Sequence, residues 1–458
     1  MPFSLAVAAR PAAVLAHGIG GRSDLPIPFG LALASSAFVL VVSFAALAVL
    51  WPRPRLGSPT AGWRLPAPVG RVLDAAAARW VVRLVGVAFF GYVLAATLFG
   101  VDDAQNPTAG VVYVLFWVGA VAFASAVLGP VWRWLNPVRT LYLLACAVLR
   151  SGPREGLLPY PPRLGTWPAA AGLLGFAWLE LVAPQRDTLP VLRAWFGAYF
   201  GLMLMGAVVF GSTWFDRADG FQVASQLYGR LSVLGRRPGD HAWVLRNPLD
   251  GIASAAVLPG LAVTVCVMLG STVYDAGANS TLWIRVEQSG VTGIVTAGTL
   301  GLVGTVLLVV ALFLGAVRLA GRLGGPAGEA EGTGIRALPG MFAPSIVPIA
   351  LGYVVAHYYS LLVLTGQSTV GQLADPLGTG ANLLGLGGRP LLTGWVQPSF
   401  VASFQVTAIV VGHVIGVVVA HDRAVGLFPR ARAVAGQLPL LALMVLFTIS
   451  GLLLLFAA

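Results

Sequence analysis

Residues 398–420 read PSFVASFQVTAIVVGHVIGVVVA and contain no charged side chain. A run of about 20 apolar residues is long enough for an α-helix to cross the hydrocarbon core of a bilayer. Nine further runs of this kind lie before and after it, at about 29–51, 84–100, 110–131, 166–183, 190–213, 251–273, 290–317, 342–365 and 437–457. The sequence therefore predicts an all-α, polytopic integral membrane protein with about ten transmembrane helices.

The composition of the whole chain agrees with this class. Hydrophobic residues make up 57% of the 458 residues and charged residues only 10%, whereas a soluble domain carries about 25% charged residues. This excludes a soluble globular enzyme, a disordered chain and a disulfide-rich secreted domain. All 28 basic residues are Arg, a bias that indicates a GC-rich bacterial genome. The predicted location is the bacterial plasma membrane, with the lipid bilayer as a partner and no nucleic acid.

The distribution of Arg predicts the orientation of the spans. Loops after spans one, three, five, seven and nine contain 22 of the 28 Arg residues. Short cytoplasmic loops of membrane proteins carry an excess of basic residues. These five loops are therefore predicted to be cytoplasmic, so both the amino and the carboxyl terminus face outward.

The chain is predicted to divide into four parts. Two amphipathic stretches within the second part, near 136–150 and 214–237, are typical of helices that lie along the cytoplasmic membrane interface. A third stretch is rich in Gly and polar residues, as flexible linkers are. The four parts are an outer segment 1–28, spans one to seven in 29–323, a flexible cytoplasmic linker 324–341, and spans eight to ten in 342–458.

The amino terminus allows two interpretations. Residues 14–16 read VLA, a small-residue pattern typical of signal-peptidase cleavage. Cleavage after Ala16 would make His17 the new terminus, where its amine and imidazole could bind copper. The alternative is an uncleaved outer tail in which His17 is an ordinary exposed side chain.

Two histidines lie inside predicted spans, His357 in span eight and His413 in span nine. Ionisable side chains are costly in a membrane and are functional candidates. Gly412 and Gly416 flank His413 with the spacing that lets two helices approach closely, so His413 is expected to face protein. Straight helices would place the two imidazoles roughly 10 Å apart in depth, at about 1.5 Å per residue. The alternative role for each histidine is a structural hydrogen bond.

Two carboxylates complete the candidate site. Glu180 lies near the outer end of span four, and Asp275 is expected in an outer loop after span six. The predicted catalytic residues are His357, His413 and Glu180. The predicted ligands of one divalent metal ion, zinc or copper, are His357, His413, Asp275 and His17, because imidazole and carboxylate groups bind such ions.

Four stretches together resemble one family of proteins. They are AHGIGGRSDLPIP (Ala16–Pro28), LNPVRTLY (Leu135–Tyr142), AHYYSLLVLTGQ (Ala356–Gln367) and FQVTAIVVGHVIGVVVAHDRA (Phe404–Ala424). With them the chain resembles the actinobacterial integral membrane proteins called fenitrothion hydrolases. The resemblance implies hydrolysis of phosphotriesters (organophosphates), and it supplies no assigned catalytic residues.

Three hypotheses about function therefore remain open. A phosphotriester hydrolase would use an activated water, commonly on a metal ion, and would take a hydrophobic small molecule as substrate. A proton- or metal-coupled transporter would use buried histidines near the membrane midplane. A non-catalytic subunit of a membrane complex has no sequence marker.

Overall fold

The computed structural model describes residues 19–290, 293–325, 335–383 and 385–456. The segment with His17 and most of the Gly-rich linker lie outside these residues. Helices dominate the described chain. They are α1 (Phe29–Leu50), α2 (Ala67–Asp74), α3 (Ala76–Phe99), α4 (Thr108–Leu128, π-helical over Val111–Ala124), α5 (Trp132–Leu135), α6 (Pro137–Leu149), α7 (Trp167–Leu181), α8 (Leu189–Phe210), α9 (Thr213–Ala218), α10 (Gly220–Gly229), α11 (Pro248–Ala253), α12 (Leu261–Ala278), α13 (Thr281–Gln288), α14 (Ile294–Gly324), α15 (Leu338–Phe342), α16 (Val347–Gln372), α17 (Pro398–Leu427) and α18 (Arg430–Leu455).

The prediction of an all-α polytopic membrane protein is confirmed. Within the described residues, nine helices are long and apolar enough to cross a membrane. They are α1, α3, α4, α8, α12, α14, α16 with α15 before it, α17 and α18. Each corresponds to one of the ten predicted spans, and the remaining predicted span corresponds to the shorter helix α7.

Helix α7 has 15 residues, about 22 Å of helix, and it runs beside α12. At their first turns, the Thr166 and Thr264 hydroxyl oxygens are 2.9 Å apart. At their far ends, Glu180 and Thr272 line the same small cavity. Helix α7 therefore pairs with α12, but it is shorter than the nine candidate spans among the described residues and is not one of them.

Span six begins and ends later than the sequence predicted. The expected run was 251–273, and helix α12 spans Leu261–Ala278 instead. Pro259 has no amide hydrogen, and Gly260 adopts a left-handed backbone with φ of +81°, so the helix starts only after them. As a result Asp275 lies inside the helix, and its prediction as an outer-loop residue was wrong.

The second predicted interfacial stretch, 214–237, also has a different structure from the one predicted. Residues 214–237 form α9, α10 and one strand, and nearly every residue of α10 is buried. Its polar side is buried as well, where the Ser225 and Ser125 hydroxyl oxygens lie 2.8 Å apart. Helix α10 therefore packs inside the protein against α4 and α7, and does not lie along the membrane surface.

The segments between the helices contain little further regular structure among the described residues. Three short strands, β1 (Trp63–Arg64), β2 (Leu234–Arg236) and β3 (Trp243–Leu245), form an antiparallel sheet in the order β1-β3-β2. Short 3-10 turns occur at Arg22–Asp24, Pro162–Leu164, Ile335–Ala337, Ala343–Ile346 and Gly394–Val396. The predicted linker 324–341 is shorter than expected, because α14 continues to Gly324 and α15 begins at Leu338.

Helices α16 and α17 cross at glycines. A Cβ atom added at Gly412 would lie 2.7 Å from the Pro348 carbonyl oxygen and 3.1 Å from the Gly352 Cα. One added at Gly416 would lie 2.8 Å from the Ser345 carbonyl oxygen. The predicted close approach at Gly412 and Gly416 is confirmed.

Candidate functional site

A carboxylate, an imidazole and a phenol meet inside the bundle. The Tyr358 hydroxyl donates a hydrogen bond of 2.7 Å to Asp275 Oδ2, and His357 Nε2 pairs with the same oxygen at 2.9 Å. All three residues are buried, with exposed fractions of 7% or less. The rings of His357 and Tyr358 meet edge to face at 4.8 Å. One carboxylate oxygen thus joins α12 to two consecutive residues of α16.

Glu180 reaches the same region from α7. Together with Tyr358, Ser271 and Thr272 it lines a small cavity of about 10 Å³. That volume is close to the ~10–15 Å³ that one water molecule needs. Apolar side chains, including Phe176 and Met268, form the rest of the wall. The structure therefore brings together three of the predicted site residues: Glu180, Asp275 and His357.

The two hydroxyls in this cavity are already used as donors. Ser271 Oγ donates to the Val267 carbonyl oxygen at 2.8 Å, and Thr272 Oγ1 donates to that of Met268 at 2.9 Å. Bonds of this kind to the preceding turn are common for hydroxyls in transmembrane helices. A molecule in the cavity could therefore only donate a hydrogen bond to these two hydroxyl oxygens. Among the described residues, the Glu180 carboxylate has no hydrogen-bond partner, so a donor in the cavity is its available partner.

An apolar group of side chains lies near the cluster. Ala276, Tyr353, Ala356, Ala402 and Leu452, from four different helices, belong to one buried group. Two of its members, Ala276 and Ala356, directly adjoin Asp275 and His357 in the chain, and apolar surroundings of low polarity strengthen a polar contact.

The first described residues also reach this packing. A Cβ atom at Gly20 would lie 3.0 Å from the backbone nitrogen of Ala402 and 3.3 Å from Gln405 Oε1. His17, the predicted metal ligand three residues earlier, lies outside the described residues, so its role stays a prediction.

His413 is buried as predicted, with 1% exposure, but it lies apart from this cluster. Its neighbour Gly412 packs against Pro348 and Gly352, which are five to nine residues before His357, or about 8–14 Å along the helix. His413 Nδ1 donates to the Ile409 carbonyl oxygen at 2.9 Å. Its Nε2 has no partner among the described residues. The two histidines therefore occupy separate positions.

Tyr358 was not among the predicted site residues, although it directly follows His357. Another buried carboxylate, Asp219, which precedes α10, was not predicted either. Asp219 Oδ2 accepts hydrogen bonds from Trp132 Nε1, Asn136 Nδ2 and the Tyr199 hydroxyl, at 3.2, 2.9 and 3.0 Å. Its Oδ1 accepts from the Phe221 amide at 3.0 Å, which caps α10. Burial raises the pKa of Asp219 to about 6, although these hydrogen bonds act in the opposite direction.

A larger cavity lies on the other side of Phe176. Its volume is about 310 Å³, and ten aromatic side chains contribute to its wall. Trp132 and Tyr199, which hold Asp219, are two of them. The small cavity beside Glu180 and this large aromatic cavity share the Phe176 ring as a wall.

A metal site is only partly provided by the described residues. Within the ranges given above, no group of three or more His, Cys, Asp or Glu side chains is arranged to hold an ion. Asp275 and His357 supply two donors in contact. Compared with known proteins, the chain matches no family model, no curated protein and no solved structure.

Proposed function

We propose that this protein is a proton-coupled membrane transporter and that the cluster of Asp275, His357, Tyr358 and Glu180 binds the coupling proton. The observation that supports this most directly is the pairing of His357 and Tyr358 with one oxygen of Asp275 inside the membrane-spanning bundle. Ionisable groups at such a depth are expensive and mark ion or proton pathways.

The proton has a physical reason to stay in this cluster. Asp275 and Glu180 are close enough to interact electrostatically. Two carboxylates that share a site of low polarity do not both remain ionised, because their repulsion is poorly screened there. In this proposal, the coupling proton is shared within the cluster that Asp275, Glu180, His357 and Tyr358 form.

A path for this movement follows from the hydrogen bonds. A water molecule in the small cavity would contact Glu180 and the Tyr358 hydroxyl, which both line it. Tyr358 in turn donates to Asp275, and Asp275 pairs with His357. A proton that enters at Glu180 could pass through the water molecule and the Tyr358 phenol to the Asp275–His357 pair. The water and the phenol would each release one proton and receive another.

The test is a rapid pH jump on the purified protein in supported proteoliposomes, with the displaced charge recorded as a transient current. We expect a transient for the unmodified chain, its loss in Asp275→Asn, and a smaller, slower transient in Tyr358→Phe. Glu287→Gln is the matched control, because Glu287 is a carboxylate on the neighbouring helix α13, outside the cluster. An unchanged transient in a folded Asp275→Asn variant would exclude the proposal.

A second candidate function is hydrolysis of phosphotriesters, which the family resemblance implies. The Asp275–His357 contact favours it, since a carboxylate that orients a histidine is a common arrangement for a general base. A metal-assisted version needs ligands beyond Asp275 and His357; of the two other predicted ligands, His413 lies apart from the cluster, which leaves His17. Zinc and copper content and hydrolysis of an aromatic phosphotriester should then both fall in His357→Ala and His17→Ala. If the metal content is zero and the hydrolysis rate is that of protein-free liposomes, this candidate is rejected.

A further inference from the structure

The large aromatic cavity has a position and a wall that define one kind of occupant. It lies between α3, α4 and α8, with Phe176 of α7 and Phe221 of α10 at its inner end. Its volume of about 310 Å³ is within the range of small-molecule sites, about 300–1,000 Å³. It is separate from the proposed proton site, because Phe176 stands between the two cavities.

The cavity opens towards the lipid. Val85 and Phe89 line it and are 58% and 45% exposed on the outward side of the membrane-spanning helix α3. Across this opening, Phe90 of α3 stacks on Phe200 of α8 with ring centroids 4.7 Å apart, and meets Phe196 edge to face at 5.8 Å. Molecules that reach this opening therefore come from the hydrocarbon layer, and aromatic rings surround the entrance.

The wall is almost entirely apolar. Three of its aromatic residues carry a polar atom: Trp132 and Tyr199 direct their donors to Asp219, which leaves the indole N–H of Trp195 as the third. Apart from one bonded to that N–H, a polar group of a guest would be left unpaired in the cavity, at a cost. The wall therefore favours an occupant that is uncharged and predominantly apolar.

The arrangement of the rings favours an aromatic guest over an aliphatic chain. Phe221 meets Phe116 and Phe176 edge to face, with centroids 4.9 Å apart in both pairs. Such contacts pair the positive edge of one ring with the negative face of another, and a guest ring extends the pattern in a way that a saturated chain cannot. From these features we infer that the cavity is a binding site for a small, apolar aromatic molecule that enters from the bilayer.

The experiment measures saturable binding of radiolabelled naphthalene to the full chain in nanodiscs, with empty nanodiscs subtracted. Decalin, the saturated ten-carbon counterpart, is the matched ligand. We expect about one naphthalene per chain, bound at least about tenfold more tightly than decalin. Equal binding of the two ligands would overturn the inference and would assign the cavity to lipid chains. The absence of saturable binding would overturn it as well.

A pair of variants localises the binding. Val85→Trp narrows the entrance, and Val81→Trp is its control. Val81 lies one turn earlier on α3 and is equally exposed, at 60% against 58%, but it does not line the cavity. We expect at least about tenfold weaker naphthalene binding in Val85→Trp and no change in Val81→Trp. Equal binding in the two variants would place the bound naphthalene elsewhere and contradict the assignment.

Discussion

Adding one methyl group at the crossing of α16 and α17 should destabilise the protein measurably. In Gly412→Ala the new Cβ would lie 2.7 Å from the Pro348 carbonyl oxygen, at least 0.7 Å closer than an ordinary van der Waals contact of 3.4–4 Å. The neighbouring atoms are backbone, including the Gly352 Cα at 3.1 Å, so no side chain can rotate away. Overpacking of this kind costs about 1–3 kcal/mol.

The control is Gly304→Ala in the middle of α14, where an added Cβ meets nothing within 4 Å. Both substitutions remove a helical glycine, which by itself favours the helix by about 0.5–1 kcal/mol. The difference between the two variants therefore isolates the steric cost, about 1–3 kcal/mol. The free energy of unfolding can be measured by SDS titration in mixed micelles, followed by tryptophan fluorescence.

The reciprocal variant sharpens the test. At Gly352 an added Cβ would lie 2.7 Å from the Ala408 carbonyl oxygen, so Gly352→Ala should lose a similar amount of stability. If Gly412→Ala and Gly352→Ala are as stable as Gly304→Ala, the helices do not cross at these glycines and our account of the α16–α17 contact is wrong.

Three further predictions follow from buried polar groups and from topology. Because burial raises the pKa of Asp219 to about 6, the folded chain keeps this proton at pH values where the unfolded chain loses it. Between pH 4 and pH 7 the free energy of unfolding of the unmodified chain should therefore fall by up to about 3 kcal/mol more than that of Asp219→Asn. If the unfolding free energies of the two proteins depend equally on pH, this prediction is refuted. His421→Phe should lower the free energy of unfolding by about 1–3 kcal/mol in the same assay, since His421 contacts Gln437 Oε1 at 2.7 Å and the Trp51 carbonyl oxygen at 3.0 Å. An unchanged free energy of unfolding would show that these two contacts do not stabilise the fold. Reporters fused between spans seven and eight and at the carboxyl end should read cytoplasmic and external, and the reverse result would invert the predicted topology.

Local patterns in the sequence predicted much of the fold. The apolar runs located the spans because hydropathy is a property of each segment alone. The spacing of Gly412 and Gly416 likewise predicted a close helix contact without knowledge of the partner helix. Both features depend on residues that are neighbours in the chain, so a single sequence is enough to show them.

The site needed information that no local pattern carries. Asp275 and His357 are 82 residues apart, and their contact depends on how α12 packs against α16. Hydropathy alone also placed the end of span six before Asp275, because the predicted run included Pro259 and Gly260, after which the helix begins. Asp219 was missed because its segment resembles a surface helix, although its polar groups pair with one another inside the protein.

The position of the two carboxylates follows from the lengths of their helices. Helices α7 and α12 begin at the same level, where Thr166 and Thr264 meet, and they have 15 and 18 residues. At 1.5 Å per residue they extend about 22 and 27 Å, which is less than the roughly 30 Å thickness of the hydrocarbon core. Glu180 and Asp275 stand one and three residues before the ends of these helices, so neither helix extends far beyond its carboxylate. In longer helices the same two residues would reach water and behave as ordinary surface carboxylates. The short helices keep them within the protein, near His357 and Tyr358 of the long helix α16.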